Sequence, residues 1–540
     1  MKKSISVLII TLCAAVLTLA FSVQADSALQ ISVAEGGDYE TVESALAAVE
    51  KMANRGELNE KGVRLVLTGI HTATVKNGVL FGQKTVFLPD GRKLPVTLTG
   101  GTLNLPEGNV ACANDYTFTG ITIPFDDAGT FLYAGSGNVK LEKITLNPNE
   151  TPEYKSSFYG DTFTGAVFEG WTEKSLSLYK ENGLFVSSIT LGEGFVYENT
   201  SDYPYAAVGS STDFEATVGN TTLSADDVCA KLVIDGANLH NTMACLGSNP
   251  VGNAVLHVKK GSVNRLYALG HARQKTHTGD VTVLVEGGTF KSFVRLLSEV
   301  TLYGNLNVTL KNMDLSGNTA ETDGAIIQML FSSGSIRGDL TVLMERVKAE
   351  RYYGAFSSGT LTLTGDVSTT AKNCEFSNFF YGGFGKSTVF GNVENTLENV
   401  TLDNFKGADD CTLLGKKEEY TGKKDSVGNL TNRLKDVTFI TTDTSNSVLL
   451  GNINGTQSGT IFNTLENVTV STGHTIHCGN RGGSVKGIVN TVADSSFASA
   501  FCGGSSGGTV GTVTNTLSHT TFYDYLYLGG SGNTVNGQIA

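Results

Sequence analysis

Side chains able to do chemistry are thinly spread along this chain, and four of them fall together. His271, Arg273, Lys275 and His277 lie in the stretch that leads into Gly279. In a lateral loop, two imidazoles and two cations could hold the carboxylate of a sugar acid. The same residues also suit a solvated corner. His474 and His477 precede Cys478, but residues three apart on a strand point to opposite faces, so the pair meets on one metal ion only in a turn. No metal site and no cofactor is expected. Asp126-Asp127, Asp226-Asp227 and Asp409-Asp410 are the paired carboxylates. The last pair sits near Lys416, Lys417, Glu418 and Glu419, which reads as a solvated insertion. Tyr523, Tyr525 and Tyr527 recur with period two, so they share one face. They could stack on sugar rings or fill a core. Cys478 and Cys502 each precede a glycine, as small apolar core residues or as a disulfide between neighbouring coils.

These side chains must be positioned by a repeated element. Residues 391–402 (GNVENTLENVTL) return as 428–439 (GNLTNRLKDVTF), 459–470 (GTIFNTLENVTV), 486–497 (KGIVNTVADSSF) and 511–522 (GTVTNTLSHTTF). Looser copies begin at Gly252, Gly279, Gly304, Gly338 and Gly365. Successive starts lie 27, 25, 34, 27, 26, 37, 31, 27 and 25 residues apart, which fits a minimum coil of about 25 residues with loop insertions. Val281, Val283 and Val285 alternate with polar neighbours, as do Leu306, Val308 and Leu310, the period of a half-buried strand. Three short strands per coil with glycine at the corners describe an all-β solenoid, a parallel β-helix. Its middle inward position runs Val283, Val308, Val342, Thr369, then Asn395, Asn432, Asn463, Asn490 and Asn515. Asparagines stacked about 4.8 Å apart can hydrogen-bond along the axis, so this column is expected to be a structural amide ladder. Outward, Thr309, Thr370, Thr396, Thr464, Thr491 and Thr516 form a second column, interrupted by Leu343 and Arg433.

Four regions follow. Residues 1–25 carry Lys2 and Lys3, an apolar run and Val23-Gln24-Ala25, the pattern of a cleaved secretory signal. Residues 26–62 form an N-terminal cap, with an amphipathic α-helix in which Val42, Ala45, Leu46, Val49 and Met52 share a face and Gly56 is the stop. Residues 63–227 are early, less regular coils with a lateral insertion, the first strand being 63–67. Residues 228–540 are regular coils. Residues 537–540 align with 511–514, and the next ladder asparagine would be residue 541, so the sequence reads as breaking off in mid-coil. Glycine is 64 of 540 residues, about 12% against the usual 7% or so, while proline is only 8. Signal cleavage takes away two lysines and no acid, moving the net charge from −13 to −15. Such a balance disfavours nucleic acid and anionic membranes as partners.

Residues 36–46 (GGDYETVESAL) resemble the N-terminal cap of pectin-lyase-like right-handed β-helix proteins. The NTLENVT copies, GDVTVLVEGGTF (279–290) and NCEFSNFFYGG (373–383) resemble repeats of secreted surface proteins, many of them from Gram-positive gut bacteria. The resemblance implies a right-handed helix outside the cell, in contact with cell-wall, mucin or plant glycans. The pectin-type hydrolases carry an Asp-Asp pair followed by Gly-His-Gly, and no acid pair here is so followed. No spacing sets three acids in one column, as a Ca²⁺-dependent lyase needs. The expected function is therefore a non-catalytic adhesin, stalk or glycan-contacting module, an elongated monomer. The alternative is a polysaccharide lyase or glycoside hydrolase with an unrecognised site.

Overall fold

The computed structural model describes residues 28–104, 108–111 and 113–125, then single strands between 130 and 222, and 228–540 apart from 247–251, 270–275, 317–324, 332–333, 356–360, 385–386, 409–410, 417–425, 441–446 and residues 454, 472, 474, 531 and 533. The secretory signal lies outside the described residues. The chain is mostly β-strand, with parallel pairing dominant, and it divides into two units: residues 1–168 with 180–182, and residues 169–179 with 183–540.

In the first unit a strand precedes the helix, which corrects the expectation that strands begin at 63. Strand β1 (Leu29–Val33) pairs in parallel with β2 (Val63–Leu67), β2 with β3 (Pro95–Thr99), and β3 with β4 (Asp115–Thr119). Register places Ile31, Leu65, Leu98 and Phe118 in one buried column. The alternation in Leu29–Val33 spans too few residues to stand out from the sequence. Helix α1 (Val42–Asn54) starts where Thr41, extended, accepts a hydrogen bond from the Ser44 backbone N–H in a capping box. It buries Val42, Ala45, Leu46 and Val49 and packs against β1 and β2. Each of the Val and Leu side chains contributes about 1.5–3 kcal/mol when fully buried. Glu43 reaches out of this helix to accept the backbone N–H of Thr74 at 2.8 Å.

In the second unit, from residue 228 onward, the strands pair in parallel with their counterparts in the next repeat, whereas Thr217–Val218 and Thr221–Thr222 pair antiparallel. Val283 stands opposite Val308, then Val342, Thr369, Asn395, Asn432, Asn463, Asn490 and Asn515 in unbroken succession. The repeats are therefore stacked tiers, registered as their sequence alignment requires. Residues 537–540 join this order: Ile539 bridges to Val513. The Thr309 to Thr516 column is likewise in register, Leu343 and Arg433 included.

Two expectations change. The tiers from 279 to 413 carry four strand pieces, not three: the stretches 301–303, 334–336, 361–363, 387–389 and 412–413 form a column of their own. Each is too short for alternation to be recognised, so in sequence they pass for corners. Moreover, Asn and Asp residues also run in columns at the corners. The residue after each opening glycine accepts the backbone N–H of its counterpart one tier on, from Asn253 through Asp280, Asn305, Asp339, Asp366 and Asn392 to Asn429, at 2.7–3.1 Å. At the next corner Asn312, Arg346, Asn373, Asn399, Asp436, Asn467, Asp494 and His519 all take φ between 45° and 55°. Asn and Asp bear this left-handed conformation better than other residues with a Cβ.

One exposed column alternates in charge. Lys311, Glu345, Lys372, Glu398, Lys435 and Glu466 succeed one another in register. They pair as Lys311–Glu345 at 3.5 Å, Lys372–Glu398 at 2.8 Å and Lys435–Glu466 at 3.1 Å. Exposed pairs of this kind add little to stability and are screened by salt, but they penalise a slipped register.

Candidate functional site

Among the described residues, those singled out from sequence do not converge. His271, Arg273 and Lys275 lie outside the described residues, as do His474 and all three Asp-Asp pairs. His277 is not a loop residue. It sits in the strand Thr276–Thr278, is fully buried, and stands opposite the core residue Leu302. It belongs to the fourth strand column, which the sequence had hidden as a corner. Lys416 is not a solvated charge either: its Nζ bonds the Asp366 carboxylate. Burial would raise the Asp366 pKa, but Lys416 and the Asn392 backbone N–H hold it below the ordinary carboxylate value. Among the described residues no group of three or more His, Cys, Asp or Glu side chains is placed to hold a metal ion, and no helix is long and apolar enough to cross a membrane.

Tyr523 and Tyr525 are exposed, at 73% and 67%, and the Tyr525 ring lies 5.9 Å from that of Tyr527. Cys478 and Cys502 are buried thiols, neither of them in a disulfide. Register puts His477, not Cys478, opposite Cys502, and no disulfide joins the two cysteines. Burial, with the neighbouring Cys502, pushes the Cys478 thiol well above its ordinary pKa. Burial also lowers His477 to about 4, helped by the Arg481 charge.

The amide ladder is present in full. Nδ2 of Asn395, Asn432, Asn463 and Asn490 donates to Oδ1 of the next asparagine at 3.0, 2.8, 2.8 and 2.8 Å. The second N–H of each amide donates to the backbone oxygen of a facing corner: Gly407, Leu450, Cys478 and Gly503, with Leu528 for Asn515. Glycine at the corner permits the approach. A Cβ on Gly382 would run into the Asn395 amide, and one on Gly407 would sit 3.0 Å from Oδ1 of Asn432. The ladder is thus a device of the core, with both amide protons used and neither turned to solvent.

The arrangement with chemical potential lies on the third strand, and sequence reading passed over it. The inner column runs Leu266, Val294, Ile327, Tyr352, Phe380 and Phe405. The residues on either side of each therefore turn away from that column, yet most of them are themselves buried, Tyr267, Phe293, Ile326, Tyr353 and Tyr381 forming a cluster with Phe379 packed against it. They are Arg265 and Tyr267, Phe293 and Arg295, Ile326 and Gln328, Arg351 and Tyr353, Phe379 and Tyr381, Asn404 and Lys406. The Arg265 and Arg295 guanidiniums lie 5.0 and 4.0 Å from the Phe293 ring centre, Arg351 lies 5.9 Å from Phe379, and Lys406 Nζ lies 4.2 Å from Tyr381. Tyr267–Phe293, Tyr353–Tyr381 and Phe379–Tyr381 rings are 5.7, 5.3 and 5.2 Å apart. Arg295 Nε donates to Oε1 of Gln328 at 3.2 Å. Four cations and five rings on one face of an acidic chain make an aromatic–cation strip. The signal was there: every residue of the inner column except Ile327 is flanked by Arg, Lys, Tyr or Phe, and the period of two alone turns those flanks away from it. Where it reaches solvent, at the half-buried Phe379 and at Arg351, such a strip can stack on a flat apolar face and donate hydrogen bonds at its edge.

Comparison with protein families, with curated proteins and with solved structures finds no match to this chain.

Proposed function

We propose that the chain is an exported surface protein whose second unit is a right-handed parallel β-helix, and that this unit serves as a non-catalytic, glycan-contacting module. The tier-by-tier parallel register supports the β-helix, because parallel strands joined within one sheet need crossovers, and these are almost always right-handed. The observation that carries the glycan reading is the aromatic–cation strip. Sugar rings offer one apolar face to stack and hydroxyls around the rim, and a row of rings separated by guanidiniums answers both. A stacked surface of this kind recognises its ligand; it presents no general acid set against a general base. The favoured partners are the glycans of cell walls, mucins or plants, and the pattern at residues 1–25 accounts for delivery to them.

The test is to incubate the purified chain with arrayed cell-wall, mucin and plant glycans and to assay the same mixtures for unsaturated or new reducing-end products. Retention of at least one glycan without product supports the reading. Product from any of them refutes the non-catalytic part and makes the chain a polysaccharide-active enzyme. No retention refutes the glycan reading.

A further inference from the structure

Within the strip, unsatisfied polar groups flank the Phe379 ring. Arg351, Phe379 and Asn404 stand opposite one another on three successive tiers. Arg351 Nη2 is anchored to Glu350 at 2.8 Å, and Glu350 is also held by Asn378 at 3.3 Å. The Nε of the same guanidinium is buried without a hydrogen-bond partner. Asn404 is only 4% exposed, and its Oδ1 is likewise buried without a partner. Leaving such a group unpaired costs about 1–3 kcal/mol, so a donor and an acceptor left buried and unpaired on either side of one ring are not explained by core packing. Phe379 between them is half-buried, with Arg351 still 34% exposed, so this part of the strip reaches solvent.

The geometry points to a subsite for a single pyranose ring, stacked on Phe379, with one hydroxyl accepting from Arg351 Nε and another donating to Asn404 Oδ1. Two tier spacings separate Arg351 from Asn404, about 9.6 Å, and a pyranose with its hydroxyls spans that gap while covering the ring between. Rotation about Cβ–Cγ of Asn404 decides which of its two polar atoms faces the opening. Glu350 positions Arg351 and leaves Nε free. Tyr381 and Lys406, one column over, flank the same ring. The ligand class is a sugar with hydroxyls on opposite edges of the ring. The carboxylate of a sugar acid is not required, because the contacts ask for one acceptor and one donor.

This subsite rests on the glycan reading, and the two can fail separately. Ligand-observed saturation-transfer NMR on the full chain would use cellotetraose, chitotetraose and tetragalacturonate as probes. Phe379→Ala and Asn404→Leu would be compared with wild type, each first checked for an unchanged melting temperature, and Asn404→Ala used if Asn404→Leu melts early. At least one probe is expected to bind, with affinity falling about tenfold in Phe379→Ala and in either Asn404 variant. The Tyr523→Ala and Tyr525→Ala variants are expected to leave that affinity unchanged. Binding that survives both strip substitutions overturns the subsite and leaves the glycan reading standing. Binding of tetragalacturonate alone overturns the assignment of ligand class. No saturation transfer from any probe overturns the subsite together with the glycan reading.

Discussion

Replacing Asn463 by alanine is the sharpest test of the amide ladder. Asn463 lies in the middle, 1% exposed, and takes part in three bonds: it accepts from Asn432 and donates to Asn490 and to the oxygen of Cys478. Alanine removes all of them. It leaves an N–H of Asn432 and the Oδ1 of Asn490 in the core, where each orphan costs about 1–3 kcal/mol. With the cavity added, the expected loss is about 4–6 kcal/mol, a large part of the 5–15 kcal/mol by which domains are usually stable. The internal control is Asn515→Ala. Asn515 is only half-buried, and its removal strips one ladder bond and one bond to Leu528 from a site that water can reach, so about 1–2 kcal/mol is expected. Urea unfolding followed by circular dichroism gives both values, and glycan retention should survive in Asn463→Ala as long as it is folded. If Asn463→Ala costs no more than Asn515→Ala, the bonds are not cooperative parts of the core. If Asn463→Ala keeps its stability but loses glycan retention, the column is a binding row and the ladder argument is wrong.

Gly382→Ala should destabilise by about 1–3 kcal/mol, because the new methyl meets the Asn395 amide; the same urea titration measures it, and an unchanged midpoint would refute the close approach. His477 is held neutral with its pKa lowered to about 4, so the unfolded chain binds the extra proton first as pH falls from 6.5. Stability should therefore drop by about 3 kcal/mol between pH 6.5 and 4, a dependence that His477→Gln removes; equal slopes in the two proteins would count against it. Lys416→Met should return the Asp366 pKa toward or above its ordinary value, since burial then acts with less opposition, and carboxyl-detected NMR titration reads this directly.

The tier architecture was legible because its signal repeats. Ten copies of one phrase average out local irregularity, and the register of Val283 through Asn515 follows from aligning them. The fourth strand was not legible, since a piece such as Leu361–Leu363 offers one alternation and then a turn. That loss carried His277 with it: a histidine among basic neighbours looks like a loop residue until the strand that buries it is recognised. The corner columns failed for another reason. Asn399 and Asn467 look like ordinary polar turn residues, and their left-handed backbone and cross-tier bonds exist only once the tiers are stacked. The aromatic–cation strip lay within reach, because the alternation that turns Phe380 inward turns Phe379 and Tyr381 away from that column. What sequence could not supply was the distance between cations and rings on the same or neighbouring tiers.

The alternating column from Lys311 to Glu466 bears on how such a chain can change length. Excising one tier, for instance 428–458, would close the amide ladder cleanly, with Asn395 meeting Asn463. It would also bring Glu398 against Glu466 on the surface. Excising two, 391–458, sets Lys372 beside Glu466 and restores the alternation, with Thr369 then meeting Asn463. Recombination between repeats is thus tolerated by the interior one tier at a time, but the exposed charges favour gain or loss in pairs.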